Sequence, residues 1–344
     1  LLSPWLLGLV VAVSTTGTTL VPRTAIPIAP VTGRAVVDVA WESPDVVLLA
    51  TGKGVLRYSL RTRAAEPLVS TLPLPDGLPD PEIVSSDGAS VVTTSHFSVG
   101  GYAMRLADRK RLAAMRVDLL PLDAAVRGQR ACILALRMSA ETDEAVLCGP
   151  VAKSWQKYQA VHRLGANGPK RFRQAFSFSR AGAIALAEDG SLFAITTAEP
   201  GLYKYAPDGK LIEKSGESFD ELVQVLTREI GAPFLADVEG RYRRLLNTQP
   251  ILEDLVLTPR GPALVVRIAE KERVRWELWW PRADGRIIPP TRLGIDRIGP
   301  YGHLQCDARG TSLACVGAFP DKKKAADFRV SEDAPHLWIF ELPK

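Results

Sequence analysis

Short apolar runs, alternating or continuous, follow one another along most of this chain, and polar turn-forming clusters separate them. The clearest stretch is AIALAEDGSLFAITTAEPGLYKYAPDGKLIEKSG, residues 183–216. Asp189-Gly190, Pro200-Gly201 and Asp208-Gly209 cut it into strand-sized pieces. Such dipeptides supply the positive φ angles and pre-set turns that hairpins need. The pattern predicts short antiparallel strands, and the strand–turn–strand unit recurs loosely about six times.

The first unit runs through VVDVAW, VVLLAT, GVLRYSL and EPLV, residues 36–69. After the proline-rich linker LPLPDGLPDP, a second contains EIVSS, SVVTTSHF, YAMRLA and LAAMRV. The third holds a hairpin between Cys132 and Cys148, then YQAVHRL and RFRQAF. The stretch quoted above is the fourth. ILEDLVL, ALVVRIA, WELWW and IIPPTRL make the fifth, and HLQC, SLACVGAF and HLWIFEL the sixth. Repeats of this size built only from short strands predict an all-β fold, a six-bladed β-propeller.

The sixth unit lacks a fourth strand, and TAIPIAPV near the N-terminus lies outside the first. That run is expected to complete the last blade and close the ring, which removes an open sheet edge. Its two prolines suit an outer strand. Residues 21–344 then form one propeller domain. One segment departs from strand spacing: SFDELVQVLTREIG, about residues 218–231, predicts a short helical insertion. Ser218 and Glu221 form a capping box, and Phe219, Leu222, Val223, Leu226 and Ile230 recur at helical spacing.

Residues 1–20 carry an apolar core from Trp5 to Val13 followed by small residues. This is the pattern of a signal-peptide h-region and cleavage region, and the core is too short to span a bilayer. An ordinary buried strand is the alternative for this segment. No other segment has the length and purity of a transmembrane helix. Cys132 and Cys148, and likewise Cys306 and Cys315, lie nearly symmetrically about polar turns. In hairpins each would face its partner, as disulfide geometry requires. No pair has CxxC spacing. Two hairpin disulfides, the favoured reading, imply an oxidising compartment, periplasmic or secreted; four buried free thiols are the alternative. The formal charge of +5 over 344 residues is modest, and no basic stripe with interleaved aromatics is present, so nucleic acid is not an expected partner.

The quoted strands, in particular DGSLFAI, GLYKYAPDG and ILEDLVLTPRGPALVV, resemble the six-bladed propellers of the NHL and TolB-like type, found in many exported bacterial proteins. The resemblance covers residues 23–342 and is one of pattern. It implies the fold; such families host lactonases, lyases, sugar-binding modules and scaffolds, so it carries little functional weight. The lactonase-like members hold a metal with a Glu, two Asn and an Asp around the channel. This chain contains two asparagines, Asn167 and Asn247, both in loop-like sequence, which departs from that set.

Ligands and metals of propellers often sit where the innermost strands begin. The candidates there are Asp38, Glu82, Glu253, Asp254, Tyr301 and His303. Converging carboxylates and one imidazole would suit Ca²⁺ or Zn²⁺, or a general base. An Asp at a strand start also commonly hydrogen-bonds a turn. There is no GxSxG elbow, P-loop or GxGxxG before a helix. Trp276, Trp279 and Trp280 could offer a stacking platform, but large side chains also fill the wedges between blades. The sequence therefore favours an exported binding or scaffold module for a protein, peptide or glycan partner, without catalysis. The alternative is a metal-dependent hydrolase or lyase with its site in the channel.

Overall fold

The computed structural model describes residues 18–28, 36–51, 54–68, 82–94, 100–116, 119–137, 143–154, 157–164, 182–196, 202–215, 251–270, 273–281, 290–295, 303–318 and 336–343. Two short strands come first, β1 (Thr19–Leu20) and β2 (Thr24–Pro27). Blade one is β3 (Asp38–Ser43), β4 (Val46–Ala50), β5 (Val55–Ser59) and β6 (Ala64–Pro67). Blade two is β7 (Ile83–Ser86), β8 (Ser90–Thr94), β9 (Gly100–Arg105) and β10 (Lys110–Arg116). Blade three is β11 (Leu119–Arg127), β12 (Arg130–Arg137), β13 (Asp143–Pro150) and β14 (Gln159–Leu164). Blade four is β15 (Gly182–Leu186), β16 (Leu192–Thr196), β17 (Leu202–Tyr205) and β18 (Leu211–Ser215). In blade five are β19 (Ile251–Thr258), β20 (Gly261–Glu270), β21 (Arg273–Trp279) and β22 (Thr291–Leu293). Blade six has β23 (His303–Arg309), β24 (Ser312–Ala318) and β25 (His336–Glu341), with β2 as its outer strand. Each blade is an antiparallel meander, and the six make a propeller. No α-helix occurs among the described residues.

The turns work as the sequence implies. Gly190 and Gly209 adopt φ of 79° and 87°, and the carboxylates of Asp189 and Asp208 accept the amides of Ser191 and Lys210. A side chain at either glycine would be strained. The closing strand pairs antiparallel with β25, Ile26 opposite Leu337. β1 was not foreseen. It lies parallel to β22 as a fifth strand of blade five.

The third blade also differs from its reading. Its innermost strand is β11, LLPLDAAVR, which precedes the cysteine hairpin. Pro121 and a β-bulge between Pro121 and Asp123 interrupt the apolar alternation there, so the run does not look like a strand. RFRQAF, the helical run 218–231 and the apolar residues 1–17 lie outside the described residues.

The core consists of six wedges, one between each pair of neighbouring blades. Both disulfides form, between directly opposed residues of a hairpin: Cys132 with Cys148 and Cys306 with Cys315. The tryptophans pack. Trp276 and Trp280 are buried between blades five and six, while Trp279 faces the wedge toward blade four. Trp280 Nε1 donates to Thr258 Oγ1 and Trp279 Nε1 to Glu277 Oε2.

Candidate functional site

An innermost strand has an edge that faces the channel axis, where its backbone N–H groups find no further strand. A buried N–H without a partner is costly, so side chains must take it up. Aspartates do so here, from one blade to the next. Asp38 on β3 accepts its neighbour Val39 N–H at 2.9 Å and, on β7, Val84 N–H at 2.9 Å. Asp123 on β11 accepts Ala124 N–H at 2.8 Å and Ile184 N–H of β15 at 2.7 Å. Asp254 on β19 accepts Leu255 N–H and Cys306 N–H of β23, both at 2.8 Å. Asp307 accepts Trp41 N–H of β3 at 2.7 Å, which joins the last blade to the first. Between blades two and three the acceptors are Ser85 Oγ and Asp87, which take Val126 and Gly128 N–H.

These carboxylates line a central cavity of about 980 Å³ that runs to the face made by the first hairpin turn of each blade. Asp38 is buried, Asp123, Asp254 and Asp307 are half-buried, and the charges see one another. Burial, followed by the charges of Asp123 and Asp38, pushes the Asp254 carboxyl well above the usual carboxylate range. Burial raises Asp307 to about 7, against the pull of the Trp41 and Ala308 amides. The rim is knitted by arginines: Arg127 pairs with Glu188 at 2.9 Å, and Arg130 donates to the Gly190 carbonyl at 2.8 Å.

A second polar group lies at the opposite ends of the inner strands. Glu253 is 4% exposed, and its Oε2 is 2.9 Å from Nδ1 of the half-buried His303. Its other oxygen, Oε1, is buried with no hydrogen-bond partner among the described residues. Gln305 Nε2 donates to the Glu253 carbonyl at 3.2 Å and fixes the backbone at this point. This geometry holds the imidazole by one nitrogen and leaves Nε2 for proton transfer or a ligand.

The structure therefore separates the residues singled out from sequence. Asp38 and Asp254 line the cavity; Glu253 and His303 form a pair outside it. Glu82 is half-buried just before β7, its N–H bonded to the Thr94 carbonyl, and does not line the cavity. Tyr301 lies outside the described residues. Among the described residues no three His, Cys, Asp or Glu side chains are placed to hold one metal ion. Sequence reasoning missed Asp123 and Asp307. A signal existed: Asp38, Asp123 and Asp254 are each followed by two apolar residues, as Val-Ala, Ala-Ala and Leu-Val.

No protein-family model matches the chain, and no curated protein matches it in sequence. Solved structures do. Regucalcin of Agrobacterium tumefaciens C58, a calcium-binding protein, superposes with a TM-score of 0.54 at 10% identity, covering 95% of this chain and 97% of that one. The β-propeller domain of Cps50 (Swd1) from Myceliophteria thermophila gives 0.48 at 13% identity, over 94% and 99% of the two chains. Fold and inter-blade aspartates together define the class: a six-bladed β-propeller with an acidic, hydrogen-bonded channel. At such identities the likeness to regucalcin concerns fold alone.

Proposed function

We propose that this protein is an exported six-bladed propeller of the NHL or TolB-like kind that acts as a binding or scaffold module for a protein, peptide or glycan. One observation carries the reading. The channel carboxylates, the natural ligands or bases of a propeller enzyme, are spent on backbone amides: Asp38, Asp123 and Asp254 each accept one from their own strand and one from the next blade. Their role is to hold the ring rigid, which lowers the entropic cost of binding at its surface. Two disulfides support residence in an oxidising compartment, periplasmic or secreted.

A second reading, a metal-dependent hydrolase or lyase, draws on the Glu253–His303 pair, whose buried Oε1 invites an ion or water. Thermal unfolding with EDTA, then with Ca²⁺, Mg²⁺ or Zn²⁺, separates the two. A ligand at a hundredfold over its Kd adds about 2.7 kcal/mol. The binding-module reading expects melting temperatures that do not depend on the ion. A metal-dependent rise that Glu253→Gln or Asp254→Asn abolishes would replace it with the second.

A further inference from the structure

The outer strand of a blade presents an edge, and proteins blunt such edges. Here five of the six are managed visibly. β22 is covered by β1. β2 ends in Pro27 and β6 in Pro67, and Glu66 of β6 is paired with Arg57 and Arg109. β10 carries the exposed Lys110 and Arg111 with a bulge, and β14 the exposed Gln159. β18 is different. Among the described residues three large apolar side chains are more than half exposed, and two of them, Leu211 at 53% and Ile212 at 54%, are adjacent on this strand. A bulge sets both against Tyr205, while Glu213 to Ser215 pair regularly with β17.

We propose that the β18 edge of blade four is a docking site for an extended acidic peptide segment, which adds to the blade as a fifth strand. The proposal deepens the binding-module reading and rests on it. Two observations choose the occupant. First, β1 already occupies the equivalent place on blade five, so a blade of this propeller accepts a fifth strand there. Second, Lys210 precedes the apolar pair and Lys214, its Nζ 5.3 Å from the Tyr203 ring centroid, follows it beyond Glu213. A second copy pairing antiparallel about Ile212 would bring Lys210 opposite Lys214, and like charges directly opposite are destabilising. An acidic strand meets the same lysines favourably. Main-chain bonds would supply affinity, and Leu211 and Ile212 the apolar contact.

The test uses a short capped peptide alternating glutamate with valine, against its lysine-for-glutamate counterpart, titrated by fluorescence anisotropy. Amide exchange of β18 is followed in parallel. The glutamate peptide should bind, protect β18 amides and weaken as salt rises; the lysine peptide should not bind. Ile212→Lys should weaken binding about tenfold or more, while Ile212→Val leaves it unchanged. Both substitutions are at an exposed position, so folding is preserved. Binding that protects another face, or that Ile212→Lys does not alter, overturns the β18 assignment and leaves the binding-module reading standing. Absence of binding overturns it too, as does self-association through β18 on sedimentation. The binding-module reading itself is judged separately, by the metal titration.

Discussion

At the scale of single residues, the aspartate is the working part of this ring. Its two oxygens accept two N–H groups at once, and its short stem keeps both within reach of the backbone. Asp38 thus fixes the start of β3 and ties it to β7 with one side chain. Asp38→Ala removes both acceptors and is expected to cost about 1–3 kcal/mol, read as a melting temperature lower by a few degrees. Asp38→Asn, which keeps one carbonyl acceptor, should fall between the variant and the parent. The type and place of Asp38 and Asp254 were legible in sequence; the partners of their oxygens were not. Those partners are 46 and 52 residues away, brought near only because each blade packs against the next. Asp123 was hidden by a neighbouring proline and a bulge that disguise its strand.

Elements were read well where turn chemistry marks them and poorly where the chain pairs at a distance. The Asp-Gly turns mark the breaks between β15 and β16 and between β17 and β18. β1 has two residues and no pattern of its own. It exists because the amides of Arg292 and Gly294 donate to the Thr18 and Leu20 carbonyls, and because Leu20 packs on the wedge between blades five and six. A chain beginning at Arg23 keeps β2 and loses β1. It should lose two backbone hydrogen bonds and that apolar contact, about 1–3 kcal/mol, and show faster amide exchange at β22. Unchanged exchange at β22 would mean that β1 is not a stable part of blade five.

For the whole molecule the decisive quantity is charge inside the ring. Asp307, with a pKa raised from 3.8 to about 7, binds its proton more tightly folded than unfolded. Its contribution to stability is therefore complete below the ordinary carboxylate range and is lost as pH rises through about 7. Asp254 acts in the same direction. Melting temperature should consequently decline from about pH 5 to pH 8, and Asp307→Asn should flatten part of that slope. The lowered pKa values of Asp108 and Glu66, exposed beside arginines, act oppositely and only in more acidic solution. A melting temperature that rises over the same interval would show that the channel carboxylates remain charged when folded.

The sequence alone determined most of the strands, though not β1 or β11, together with the Asp-Gly turns, the number of blades, the closing strand and the pairing of the cysteines. All of these rest on alternation, turn residues and symmetry within a few tens of positions, where local rules hold. Tertiary structure decided the rest. It set which aspartates meet which amides, raised the pKa of Asp254 and Asp307, paired Glu253 with His303 and left Leu211 and Ile212 of β18 exposed. Each of these depends on distance through space between blades and on exclusion of water, and neither quantity is written in the spacing of residues along the chain.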